Sequence, residues 1–165
     1  MITPEEARTR AENNFRSGLN CTQSVVEVFA AELGFDPKTV MSIALPFGGG
    51  TCRMRETCGT FSGIMMCLGM FKGIPGGDKD VKDDIYKDGQ ALAERFKKSN
   101  GSIICRELLG LAPLNSTQDH TPSSPVSEAR TKEYYKKRPC PALCGEAAAI
   151  FAEYLAARKK EAELE

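Results

Sequence analysis

Cys58-Gly59-Thr60-Phe61-Ser62-Gly63-Ile64-Met65-Met66-Cys67-Leu68-Gly69-Met70-Phe71-Lys72 is the stretch that decides the fold. Its apolar part, Phe61 to Phe71, is about half of the roughly 20 residues a membrane-spanning helix needs, and it carries two glycines. It reads as a helix buried in a protein core, with Met65, Met66 and Met70 filling gaps. Each glycine inside such a helix costs about 1 kcal/mol relative to alanine. Gly59 and Gly63 lie one turn apart, so the compensation expected is close approach by a second backbone or a bound group.

Upstream, Gly48-Gly49-Gly50 is too flexible to continue a helix. It resembles a phosphate cradle only superficially, since no P-loop lysine and serine and no preceding strand accompany it; it reads as a turn that brings backbone close to sulfur. Before it, Thr3-Pro4-Glu5-Glu6 carries a capping box and starts a helix that runs to about Ser17. Asn20 caps a second, with Val25, Val26, Val28, Phe29 and Leu33 inward and Gly34 closing it. Asp36-Pro37 opens a short third helix that ends at Pro46.

Downstream, Ile74 to Asp78 is a turn, and Asp80 to about Ser99 is an amphipathic helix stopped by Asn100-Gly101. Cys105 to Leu109 reads as a single helical turn, and Leu111 to Pro125 as a loop or lid in which His120 is solvated. Ser127 to Lys137 reads as a charged, solvated helix. An alanine-rich helix follows from Pro141 to about Lys160, with Leu143, Ala147, Ile150, Phe151, Tyr154 and Leu155 on one face. No strand emerges, so the expectation is an all-α, single-domain bundle of about six helices covering residues 1–165.

Lysine plus arginine is 22 and aspartate plus glutamate is 22, which argues against a nucleic-acid binder. The first residues lack the basic-then-apolar pattern of an export signal, and no stretch inserts in a membrane, so the expected location is cytoplasmic. One histidine cannot support most histidine-built sites, whereas 7 cysteines, an odd number in a reducing compartment, speak for free thiols, metal ligation or redox work.

Cys21, Cys58, Cys105 and Cys140 each fall at or just before an expected helix start, and Cys144 one turn into the last helix. A helix start carries unpaired N–H groups and about half a positive charge, which lowers a thiol's pKa. Arg106 beside Cys105, and Lys136, Lys137 and Arg138 before Cys140, add positive charge. No C-x-x-C occurs, so a zinc ribbon, a thioredoxin-type site and a c-type haem attachment lose their usual signature. Cys67 reads as core packing, and Cys52 with Cys58 as a reversible disulfide pair.

The ordered set Asn20-Cys21-Thr22-Gln23-Ser24-Val25, Phe47-Gly48-Gly49-Gly50, Cys58-Gly59-Thr60-Phe61-Ser62-Gly63, Cys105-Arg106-Glu107-Leu108-Leu109-Gly110 and Cys140-Pro141 resembles the redox-active protein family known by its C, CGAxxG, C, C pattern. The resemblance spans about residues 13–155 and implies a redox role for Cys21, Cys58, Cys105 and Cys140. Thr60 stands where the pattern has alanine and adds a hydroxyl near Cys58; Cys52, Cys67 and Cys144 lie outside the pattern.

Three functions follow as expectations. In the first, thiolates of Cys21, Cys58, Cys105 and Cys140 hold an iron-sulfur cluster, Gly59 and Gly63 leave room for it, and electrons pass to or from a donor or acceptor protein. The same four ligands also suit zinc in a closed structural site. In the second, an oxidoreductase-type activity, Cys58 is the low-pKa attacking thiol of a metal-free exchange and Cys21 or Cys52 resolves it. In the third, the cysteines are incidental and the apolar helices form a homodimer.

Overall fold

The computed structural model of the chain describes residues 1–111 and 124–164. They contain eight α-helices: α1 (Pro4–Arg16), α2 (Cys21–Phe29), α3 (Pro37–Ala44), α4 (Gly59–Lys72), α5 (Lys79–Asn100), α6 (Cys105–Leu108), α7 (Lys132–Lys137) and α8 (Cys140–Glu163). A 3-10 turn, Leu45–Phe47, follows α3. Among the described residues there is no strand, only an isolated bridge between Thr57 and Ile104. The protein is all-α, as its sequence indicates, and six of the helices have seven or more residues.

Side-chain caps set the starts of α1, α2, α3 and α5. Thr3 accepts from the Glu6 amide while Glu6 accepts from the Thr3 amide, and Asn20 and Gln23 repeat this reciprocal box at α2. Asp36 and Asp78 cap α3 and α5, and Gly101, at φ +88°, closes α5.

Helix α8 is the axis of the bundle. Thirteen of its residues are buried, among them Ile150, Phe151 and Leu155, and α1 lies along it while α2, α4 and α5 complete its surround. By length and composition α8 could cross a membrane, but 72% of its most apolar window is buried within the protein. Phe151 meets Phe29 edge-on at 5.0 Å, and Phe61 of α4 meets Phe96 of α5 at 6.0 Å. Helix α4 is the buried element expected, and its glycines do admit a neighbour. A Cβ placed on Gly63 would lie 2.8 Å from the Val25 Cβ of α2.

Two boundaries differ from the sequence reading. Helix α2 stops at Phe29, and residues 30–34 form turns closed by Gly34 at φ +83°. The charged helix expected over residues 127–137 contracts to α7, because Thr131 caps it through the Tyr134 amide and Arg130 is tied to the carbonyls of Phe15 (3.4 Å) and Leu19 (3.3 Å). It is not a plainly solvated face, since Tyr135 packs edge-on against Phe15 at 6.2 Å. Residues 112–123, most of the expected lid together with His120, lie outside the described residues.

A polar knot closes the end of the bundle away from the cysteines. Buried Asp88 accepts from Lys72 (2.7 Å), from the Tyr154 hydroxyl (2.6 Å) and from Arg158. Burial works to raise its pKa, but the three donors outweigh it and hold the carboxyl below the usual range. A depressed native pKa gives stability that is present above the unfolded value, about 3.9, and lost as pH falls through the native one. Asp88→Ala is expected to cost about 2 kcal/mol at pH 7, moderated because Lys72 retains Asp84 and Arg158 retains Glu161. Thermal melts are expected to show a drop of about 4–8 °C at pH 7 that narrows as pH falls below about 3.9. An equal drop at both pH values would contradict the ionic assignment.

Candidate redox centre

All four cysteines of the sequence pattern sit at helix starts. Cys58 is the residue before α4, and Cys21, Cys105 and Cys140 are the first residues of α2, α6 and α8. The bridge between Thr57 and Ile104 clamps two of these starts together, with the Cys58 amide donating to the Ile103 carbonyl and the Cys105 amide to the Glu56 carbonyl, each at 2.7 Å. Gly59 seats α4 against α2, since its added Cβ would lie 3.0 Å from the Cys21 Cβ. From α8, the Cys144 thiol donates to the Cys21 carbonyl at 3.8 Å.

The glycine turn acts as the sequence suggests, bringing backbone to sulfur. A Cβ on Gly50 would fall 2.7 Å from the Cys105 Cβ, and the Gly49 N–H is aimed at the Cys21 thiolate. The loop needs more than glycine, because Gly49, Gly50, Thr51, Cys52 and Arg53 all have positive φ, as does Arg55. Left-handed backbone costs an L-residue roughly 1–2 kcal/mol, so this loop is held by its surroundings, including the 2.6 Å bond from the Cys52 amide to the Pro46 carbonyl.

The thiols are not electrostatically alike. Hydrogen bonds from the Cys140 and Cys144 thiols, then the Gly49 N–H and the Arg130 charge, overcome burial and hold Cys21 well below the ordinary thiol range. Burial and the nearby Cys21 charge push Cys58 up to about 12, although its sulfur lies 3.1 Å from the Thr60 hydroxyl. Cys105 is raised by the same two causes, against the opposing Arg55 and Arg138. Cys140 is raised first by its hydrogen bond to Cys21 and then by burial, and Cys144 first by burial and then by Cys21. The cluster therefore favours one thiolate, on Cys21.

This corrects two expectations. The helix-start field was expected to favour thiolates at all four positions, but desolvation outweighs it at Cys58 and Cys105, and the hydrogen bond to Cys21 followed by desolvation does so at Cys140. Cys58, expected to be the low-pKa thiol, is raised, and the thiol held low is Cys21. Cys67 is fully buried on α4 and pushed up by burial, the core role expected for it, while Cys52 is exposed on the strained loop. All seven cysteines are free thiols.

A cavity of about 670 Å³ opens onto Cys21, Cys105 and Cys140. Among the described residues, its charged lining is Arg53, Arg55, Arg130, Arg138 and the acid Glu128. Sequence reasoning found Arg138 but missed the other three. The charge expected from Arg106 at Cys105 comes instead from Arg55 and Arg138, and Lys136 and Lys137 are exposed. The only sequence signal was Arg53-Met54-Arg55 beside the glycine turn. Among the described residues, no three Cys, His, Asp or Glu side chains are gathered to hold one metal ion.

Residues 19–154 match the model of the family described as "Putative redox-active protein (C_GCAxxG_C_C)". The chain belongs to this family. No curated protein and no solved structure matches it. The matched region starts two residues before Cys21 and takes in Cys58, Cys105 and Cys140; of these four, Cys21, Cys105 and Cys140 line the cavity.

Proposed function

We propose that this C_GCAxxG_C_C protein is a cytoplasmic thiol redox protein whose working pair is Cys21 and Cys140. The observation that carries the reading is that Cys21 and Cys140, the first residues of α2 and α8, open together on the cavity; it is supported by the Cys21 thiol being held low, chiefly by the Cys140 thiol.

The Cys21 sulfur attacks one sulfur of an incoming disulfide, whose S–S bond breaks and releases a thiolate. Cys21 is then neutral, in a mixed disulfide. This removes the main cause holding the proton on Cys140. Cys140 gives that proton to the released thiolate and attacks the Cys21 sulfur, and the second substrate thiolate leaves. Two electrons have passed from the cysteine pair to the disulfide, and the reverse sequence carries them back.

A second reading has support of its own: an iron-sulfur cluster ligated by Cys21, Cys58, Cys105 and Cys140. Four soft donors start four helices around one region, and buried Arg55 beside Cys105 keeps an Nε–H without a hydrogen-bond partner. Such a cluster would supply one-electron transfer to a donor or acceptor protein. Its several irons separate the ligands, whereas zinc needs them gathered at a point, so zinc is the less supported metal.

Anaerobic purification followed by alkylation kinetics separates these. The thiol reading expects a colourless, iron-free protein that reversibly loses two thiols on oxidation, with Cys21 labelled along a pH titration whose midpoint lies below the roughly 8.5 of a free cysteine. A midpoint at or above that value would overturn it. A visible charge-transfer band with iron and sulfide would establish the second reading instead.

A further inference from the structure

We propose that the arginine-lined cavity over Cys21 is the docking site for a small anionic disulfide, one carrying carboxylate or sulfonate groups. The inference rests on the thiol reading for the sulfur of its ligand, and on the cavity alone for the charge.

The chain is neutral overall, yet among the described residues this one lining holds four arginines against one glutamate. Arg55 gives the sharpest sign that something else belongs there. Its side chain is only 5% exposed, its Nε has no hydrogen-bond partner, and its acid, Glu128, stands off at 3.9 Å. A buried donor left unpaired is costly, and a bound oxyanion would supply the missing acceptor.

Glu128 shows what these guanidinium groups hold. Its carboxylate is shared by Arg53 (3.4 Å), Arg55 and Arg138, and it comes from the non-helical segment before α7 with its side chain 46% exposed. It is an internal carboxylate that a ligand's carboxylate can displace. Arg130 is braced on the opposite wall over the rings of Phe15 (4.3 Å) and Tyr134 (5.0 Å), and its bonds go to carbonyls rather than to an acid. The cavity's size falls within the range for small-molecule ligands.

The test uses the reduced full-length chain. Calorimetry with 5-nitroisophthalate, a dianion without sulfur, reads the cavity by itself. Stopped-flow reaction with 5,5′-dithiobis(2-nitrobenzoate), which is dianionic, against neutral 4,4′-dithiodipyridine reads the route to Cys21, with the adduct mapped by mass spectrometry. The expected result is binding of the dianion and a preference of about 10-fold or more for the anionic disulfide, normalised to free cysteine. Arg55→Met is expected to weaken the binding and remove most of the preference, and Glu128→Gln to strengthen both by about 3-fold, with melting curves confirming that each variant folds. Absence of dianion binding, or a neutral disulfide reacting equally well at Cys21, would overturn the docking site while leaving the thiol reading intact. A Cys21 that reacts with neither disulfide would sink the thiol reading and, with it, the sulfur of this ligand.

Discussion

Cys21→Ser is expected to abolish the reversible oxidation proposed for the cluster, with the rate of reaction toward a disulfide falling by about 10³-fold or more, because a serine hydroxyl does not ionise at neutral pH and cannot replace the thiolate as nucleophile. The loss is expected to exceed that of any other single cysteine, since Cys21 is the group through which the raised pKa values of Cys58, Cys105, Cys140 and Cys144 are all partly set. Cys67→Ala is the matching control. That thiol is fully buried, owes its raised pKa to burial alone and lies outside the cavity lining, so its removal is expected to cost stability but leave the oxidation rate within about two-fold. Stopped-flow oxidation of both variants reads the difference. A Cys21→Ser protein retaining a tenth of the wild-type rate would move the working thiol elsewhere.

Gly59→Ala is expected to destabilise the protein by about 2 kcal/mol, although alanine is the better helix former by at most about 1 kcal/mol. The new Cβ would meet the Thr22 Oγ1 at 2.7 Å, the Phe47 carbonyl oxygen at 2.9 Å and the Cys21 Cβ at 3.0 Å. The last two belong to backbone or lie next to it and cannot swing away, so α4 must shift from α2 and the cysteine cluster must open. Gly69→Ala, on the same helix with nothing within 4 Å of its Cβ, is expected to raise stability by about 0.5–1 kcal/mol. Melting temperatures of the pair should therefore move in opposite directions, by about 4–8 °C down and about 2 °C up. Equal shifts would show that helix propensity, and not the approach of α2, governs position 59.

The contrast between those glycines marks the limit of reading one chain. Both sit in the same helix; the one-turn spacing of Gly59 from Gly63 pointed to a close approach, but what approaches is given only by the packing of α2. The caps, by contrast, are local: Thr3 with Glu6, Asn20 with Gln23 and the proline after Asp36 each act within four residues. The starts of α1, α2 and α3, and with α2 the placement of Cys21, were legible for that reason; α4, α6 and α8, at whose starts the other three cysteines lie, begin without a side-chain cap. The segment before α7 was not legible, because Arg130 leaves helical register to reach carbonyls more than a hundred residues away.

Chemistry divides along the same line. Cysteine number, the single histidine, the absence of C-x-x-C and the ordered pattern are properties of the chain itself, and they were sufficient to point to sulfur-based redox work. Which thiol ionises is a balance of desolvation against hydrogen bonds from residues 119 and 123 positions distant, and the arginine cavity joins residues 53 and 55 to 130 and 138. Local hydrogen-bonding rules decide where a helix begins; the energy of a charge depends on everything within several ångströms of it, and only the folded bundle sets those neighbours.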